Sequence, residues 1–373
     1  MADPLQLADM LNEHWLEAIG DLIRAQPDAA KFLGPTRDAA TIPERTLTFT
    51  SLNQLPPKDI NVIIFGQDPY PRAESAIGVA FNDGAIRQWN DKYPPSFANL
   101  IKNVLYGYGM ISTDQGIADV RKILAAKAIA PPPAWFKHTI QNGVCWLNTS
   151  LTFTSTDLSV LAVHLKFWKP IIEGIISALI DAKRELKATN PDVGLVFVMW
   201  GGHAQKLQKL IEKINQSKSP QIKLEFVTAS HPAANGNTFH GTKTFASINS
   251  ALESLNLPVI NWLPSSTGED VTSASSSASS SAPSATTAPK KAAAKKVTAT
   301  KKLTAAKKAA AVEESDDSEE EPVVKKTKKA TASKKASGKK ATASKKRSHD
   351  DSDEDDDYSV EEEKAPTKKR AKK

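Results

Sequence analysis

An apolar run, Asn61–Phe65, ends abruptly in Gly66-Gln67-Asp68-Pro69-Tyr70-Pro71. Each proline fixes its own φ near −65° and pushes the residue before it toward extended backbone, so Asp68 and Tyr70 are both held stiffly. A loop that needed only to turn would more simply use Asn-Gly or Asp-Gly. A carboxylate in this setting can act as a base, orient a water or stabilise a developing positive charge; an ordinary turn or N-cap carboxylate is the competing account. Three other apolar runs also end in polar groups. Val144–Leu147 leads to Asn148-Thr149-Ser150, Leu195–Trp200 to Gly201-Gly202-His203, and Leu224–Val227 to Thr228-Ala229-Ser230-His231-Pro232. Asn148 offers one acceptor and two donors, the pattern that reads a base edge bidentately, although a strand-end Asn also bonds its own backbone. His231 can donate a hydrogen bond to an oxygen or protonate it, on a backbone restrained by Pro232. Lone histidines are more often structural, and His14, His138 and His240 carry no expected role.

The elements that must position these groups follow from the same runs. Four short, continuous apolar, β-rich segments alternate with helical patterns such as Phe97–Leu105 and Phe167–Leu179, and Trp15, Ile19, Leu22 and Ile23 fall at helical spacing near the N-terminus. Such strands are buried on both faces, so the expected fold is α/β: a three-layer α/β/α domain around a central, mainly parallel four-stranded sheet. Ligands bind such sheets beyond the carboxyl ends of the strands. Four polar exits would therefore converge on one crevice holding an acid, a tyrosine, an amide and a histidine, which points to an active site. The histidines and acids lack H-x-x-x-H spacing and there is no Cys pair, which argues against a metal; no Gly-Lys-Ser/Thr follows the glycines, which argues against a nucleotide loop. Gly201-Gly202 and Pro94-Pro95-Ser96 can still admit a polynucleotide backbone close to main-chain N–H groups and the Ser96 hydroxyl.

Composition divides the chain near residue 263. Of 49 Lys+Arg and 42 Asp+Glu, 25 and 19 lie in residues 264–373, which leaves residues 1–263 at +1 and the remainder at +6. All seven Trp lie at or before Trp262, and Tyr358 is the only Phe, Trp or Tyr beyond it. Residues 1–263 are thus expected to form one well-packed domain. Residues 264–373 cannot bury enough apolar surface to offset their ordering entropy, and a disordered Ser/Ala/Lys-rich tail is expected. Cys145, the only cysteine, excludes an internal disulfide and sits in an apolar run as a buried, reduced thiol. No signal-peptide pattern and no membrane-spanning apolar stretch is evident, so a soluble intracellular protein is expected; a monomer is expected as well.

The ordered series Gly66-Gln67-Asp68-Pro69-Tyr70, Gly78-Val79-Ala80-Phe81, Pro94-Pro95-Ser96, Leu147-Asn148-Thr149-Ser150-Leu151-Thr152, Trp200-Gly201-Gly202-His203-Ala204-Gln205 and His231-Pro232 resembles the uracil-DNA glycosylases of the family-1 type. Phe239-x-Gly241-x-x-x-Phe245-x-x-x-Asn249-x-x-Leu252 and Trp262 fit the family's C-terminal end, and the likeness spans roughly residues 10–263. The resemblance implies a base excision repair enzyme that flips uracil out of single- or double-stranded DNA and hydrolyses its N-glycosidic bond. It implies that no metal, nucleotide or redox cofactor is needed, that Asp68 stabilises the sugar cation and positions water, and that His231 donates to uracil O2. Phe81 would stack on the base, Asn148 pair with its Watson–Crick edge, Tyr70 exclude the thymine methyl and Gln67 add pocket contacts. Pro95, Ser96, Gly201, Gly202 and Ser230 would hold the DNA backbone.

Two positions depart from the family pattern. Pro71 stands where a His is usual. After His231-Pro232 the chain reads Ala233-Ala234-Asn235-Gly236 instead of a Ser-Pro-Leu-Ser segment whose Leu wedges into the duplex, which leaves Asn235 as the wedge candidate and implies a weaker preference for duplex DNA. The rival accounts are a non-catalytic DNA-binding or replication-processivity subunit on the same fold and a glycosylase for another lesion. A binding-only protein would not need Asp68, Asn148 and His231 together.

Residues 265–288 are linker-like, and lysine runs beyond them alternate with acidic blocks at Glu313–Glu321 and Asp350–Asp357. Mobile lysine clusters could hold the enzyme near DNA by counterion release; a solvated polyampholyte with no specific receptor is the competing account. Pro366–Lys373 reads as a signal for a nuclear import receptor, which implies a nuclear setting, or a viral replication compartment for a viral source. Ser318 and Ser352, each with an acid three residues on, fit acidophilic phosphorylation.

Overall fold

A computed structural model describes residues 3–191, 193–234 and 238–266, all inside the first of two units, Met1–Thr286, into which the chain divides. Residues 267–373 of the expected tail, with its lysine runs and import signal, lie outside the described residues, whereas Pro264 and Ser266 are tied to the domain: the Ala130 N–H donates to the Pro264 carbonyl at 2.9 Å and the Ser266 N–H to the Ala128 carbonyl at 2.8 Å.

The sheet has four strands, β1 (Val62–Gly66), β2 (Val144–Asn148), β3 (Gly194–Trp200) and β4 (Lys223–Ala229), in the order β2-β1-β3-β4. Every neighbouring pair is parallel, as the continuous apolar runs require. Every residue of β1, β2 and β3 is buried, whereas β4 at the edge is only half-buried and carries Lys223 and Glu225.

Among the described residues ten α-helices accompany the sheet: α1 (Glu13–Arg24), α2 (Ala29–Leu33), α3 (Thr50–Asn53), α4 (Pro95–Gly107), α5 (Ile117–Ala126), α6 (Pro132–Gln141), α7 (Leu158–Leu186), α8 (Gly202–Gln205), α9 (Gln208–Gln216) and α10 (Thr244–Ser254). The two-residue period of the strands sorts them into layers. Ile63, Phe65, Cys145, Leu147, Phe197 and Met199 face a core shared with Trp15 and Ile19 of α1 and with Trp168, Ile172, Ile176 and Leu179 of α7. Val62, Ile64, Trp146, Val198 and Trp200 face the opposite core, with Phe97 and Ile101 of α4, Trp135 of α6 and Phe245 of α10.

Helix α7 extends beyond the periodic stretch Phe167–Leu179 at both ends. Asp157 caps its start by accepting from the Ser159 N–H at 2.8 Å, and the helix continues through Pro170. Gly174 lets α1 approach, because a Cβ there would lie 2.1 Å from Leu22 Cδ2.

β1 leads outward to β2 on one side, and the chain returns through α7 to place β3 on the other side of β1. The strand order therefore reverses between β1 and β3, and a crevice opens where their carboxyl ends diverge.

Candidate active site

A cleft of about 220 Å³ opens beyond β1, lined by Gln67, Asp68, Tyr70, Phe81, Ser96, Asn148 and His231 together with Pro71 and Ala233. A neighbouring cleft of about 230 Å³ shares Gly66, Gln67 and His231 and is walled by Trp200, Gly201, Gly202 and His203. The two together occupy the strand-reversal crevice. Pro95 is the exposed first residue of α4, beside Ser96. Ser230 precedes His231 and accepts a hydrogen bond from the Thr238 hydroxyl at 3.1 Å. Asn235 lies outside the described residues.

The β1–β2 ladder continues past the strand ends and fixes the first two exits. Gly66 and Asn148 are register partners; the Thr149 N–H donates to Gly66 O at 2.9 Å, and the Ser150 N–H to Gln67 O at 2.9 Å. Asn148 is buried, and its side chain crosses directly over Gly66, where a Cβ would meet Oδ1 at 2.2 Å. Asp68 follows with its carboxyl in the cleft wall, and burial pushes its pKa up to about 6. Tyr70 donates from its hydroxyl to the Phe81 carbonyl at 3.3 Å. Burial, the dominant cause, pushes the Tyr70 phenol up to about 12, so it remains a neutral wall group.

Phe81 stands in the left-handed region, φ 61°, a conformation costing a bulky residue roughly 1–3 kcal/mol. The Ala80 N–H holds this turn by donating to Trp146 O at 3.1 Å. The Phe81 ring packs edge-on to Trp200 (5.5 Å between centroids) and Trp146 (6.2 Å), and lies 6.5 Å from the His231 ring. Arg72 reaches the buried Asp83 at 2.9 Å, and Gly84 N–H donates to Ser75 O, so the segment between Tyr70 and Phe81 is tied at its base.

His231 is fixed through its ring and its backbone. The Ala233 N–H donates to Nδ1 at 3.1 Å, and the Ala234 N–H to the His231 carbonyl at 2.9 Å. Burial lowers its pKa below the usual histidine range, which favours the neutral ring. With Nδ1 accepting, the proton of that neutral ring belongs on Nε2, leaving a donor available at the cleft. Gly201, at φ 85°, brings β3 close behind: a Cβ there would come within 3.0 Å of His231 Cβ. Among the described residues no group of three or more His, Cys, Asp or Glu could hold a metal ion, and no helix is long and apolar enough to cross a membrane.

Known proteins carry the same plan. No protein-family model matches the chain. It is 28% identical over 227 residues to a uracil-DNA glycosylase of Alkaliphilus oremlandii, covering 61% of this chain and 83% of the relative. It is 29% identical over 234 residues to a uracil-DNA glycosylase of Campylobacter lari, covering 62% and 84%. The chain is a homologue of the uracil-DNA glycosylases. The fold agrees: the crystal structure of the wild-type enzyme UNG from Nitratifractor salsuginis superposes with a TM-score of 0.50 at 23% identity, covering 69% of this chain and 96% of that one. These relatives are bacterial and lend no support to a nuclear setting.

Several residues that shape this glycosylase-like cleft carried no sequence role. Gly66, Thr149 and His203 sit inside the quoted motifs, where spacing alone did not separate them from connectors. Asn99 on α4 donates to the Pro232 carbonyl at 2.7 Å, and Gln205 to the Ala229 carbonyl at 2.9 Å; both hold the β4 exit. Helical periodicity places Asn99 on α4 but says nothing about a carbonyl 133 positions away in sequence.

Proposed function

We propose that this chain is a uracil-DNA glycosylase that flips uracil from DNA and hydrolyses its N-glycosidic bond, leaving an abasic site. The observation that carries this reading is the delivery of Asp68, Asn148 and His231, from three different strand exits, to one cleft also walled by Tyr70 and Phe81. A base inside a duplex is inaccessible to such a cleft, so the nucleotide must leave the stack. Phe81 then stacks on the ring and Asn148 pairs with its Watson–Crick edge, where cytosine presents the wrong donor pattern. The Tyr70 ring occupies the space of a thymine methyl.

Bond cleavage develops positive charge on the sugar and negative charge on the base. Ionised Asp68 stabilises the first and orients the attacking water. The Nε2–H of neutral His231 stabilises the second at O2, and such a preorganised donor is worth roughly 10²–10³ in rate. Backbone groups of Gly201 and Gly202, with Pro95, Ser96 and Ser230, hold the flanking DNA backbone. Gln67 adds contacts from the wall shared by both clefts.

The finer features rest on sequence alone. Asn235 is the wedge residue, the enzyme acts as a monomer, and the lysine runs of the tail tether it to DNA. Pro366–Lys373 directs import where the host has a nucleus, a proposal that fails if a reporter carrying this segment stays cytoplasmic. The function is tested with oligonucleotides holding a single U, T or modified base, scored for abasic sites. Release of uracil alone supports it; binding without release favours a DNA-binding subunit on the same fold.

A further inference from the structure

Thr149 Oγ1 lies 3.0 Å from the Gln67 carbonyl oxygen and 3.3 Å from His203 Nε2. A carbonyl only accepts, so both contacts are hydrogen bonds at once only when the Thr149 hydroxyl gives its single proton to Gln67. Toward His203 that hydroxyl then presents lone pairs only, and Nε2 must carry a hydrogen. With both bonds made, the chain runs in one direction: His203 at the β3 exit donates to Thr149 at the β2 exit, which donates to Gln67 at the β1 exit. The receiving carbonyl is itself held from a second side by the Ser150 N–H at 2.9 Å.

That carbonyl belongs to the planar peptide whose nitrogen is Asp68's own. Its orientation sets the direction in which Asp68 leaves the strand. We propose that Thr149 and His203 are positioning residues that aim Asp68 through the Gln67–Asp68 peptide. This rests on the reading of the cleft as a uracil-releasing site. His203 is half-buried and lines the neighbouring cleft with Gly202, so the backbone-holding loop and the acid share one hydrogen-bonded chain. Contact with DNA at Gly201-Gly202 would thereby steady the catalytic acid.

The test compares single-turnover uracil release by the full chain with that of H203F, H203Q, T149V and the H203F/T149V double variant, alongside thermal midpoints and the ¹⁵N tautomer of His203. Loss of the donor is expected to slow the chemical step about tenfold, with substrate binding unchanged. H203Q, whose amide can donate, should recover most of the rate. T149V should match H203F, and the double variant should be no slower than either. His203 should be protonated at Nε2. Full activity in H203F, no recovery in H203Q, multiplied losses in the double variant, or an Nδ1-protonated His203 each overturns the inference. Failure of the unmodified chain to release uracil overturns the functional reading instead, and the tautomer then decides whether the donor chain exists.

Discussion

Gly66 and Asn148 are partners across the β1–β2 pair, and the Asn148 amide occupies the space a side chain on residue 66 would need: a Cβ there would lie 2.2 Å from Oδ1 and 2.9 Å from Ala80 Cβ. Asn148 is thus pressed into one orientation by the absence of an atom on its neighbour. Gly66→Ala should rotate the amide out of register with a bound base and lower kcat/KM for uracil release by roughly 100-fold. The strand itself is buried and paired, so the fold should persist with a lowered melting temperature. Steady-state kinetics and a thermal melt on the same sample check both halves.

The Asp68 carboxyl, pushed up to about 6 by burial, must be ionised to stabilise a cationic sugar. kcat/KM should therefore fall on the acid side with a midpoint near pH 6. The linkage has a definite sign. The folded-state pKa exceeds the unfolded value, so this group's contribution to stability is fully present below about pH 4 and is lost as pH rises through 6. Asp68→Asn should consequently melt at a higher temperature than the unmodified chain at pH 7 while losing activity. An unchanged or lower melting temperature would contradict the assigned burial of the charge.

Tyr70 lines the same cleft as Asn148, with its hydroxyl tied to the Phe81 carbonyl. Tyr70→Ala should open space for a 5-methyl group and permit release of thymine, which the unmodified chain should leave intact. One methyl is worth about 1–3 kcal/mol of discrimination in a fitted pocket. Parallel assays on U- and T-containing oligonucleotides check it; a variant slower on uracil and still inert on thymine would contradict the steric account.

Asp83 is a buried carboxylate whose cation, Arg72, is more than half exposed, at 56%. Arg72→Ala leaves that charge without its partner and should cost about 1–3 kcal/mol of stability by denaturant unfolding. It should also loosen the Tyr70–Phe81 segment and raise KM, since Phe81 is held in a costly backbone conformation.

Much of this was legible in the sequence because the strands are buried on both faces. Continuous apolar runs at Val62–Phe65, Val144–Leu147 and Leu195–Trp200 announce parallel strands, and their exits announce a shared crevice. The order β2-β1-β3-β4 was not legible, since four buried runs of similar composition pair interchangeably in one dimension. The extent of α7 was missed because its first turns, with Leu158 and Val163 exposed, lack a buried stripe, although Asp157 and Ser159 supply its cap. The residues that act through others were hidden for a different reason. Gly66 matters for the atom it lacks, Thr149 and Asn99 for carbonyls, and His203 for a hydroxyl, that they reach only after folding. Spacing along a chain carries no record of a carbonyl's direction.

Replacing Asn235 by Leu bears on the loop after His231. A small polar side chain fills a vacated base stack poorly, so Asn235→Leu should raise the ratio of duplex to single-strand turnover. An unchanged ratio would remove Asn235 from the wedge role.

The most direct test of the whole account is the release of free base from a duplex carrying one U, measured beside Asp68→Asn. Stoichiometric uracil with an alkali-labile abasic site, lost in the variant while DNA binding is retained, is the predicted result. Tight binding to the same duplex with no uracil released, or equal release by both proteins, would contradict it.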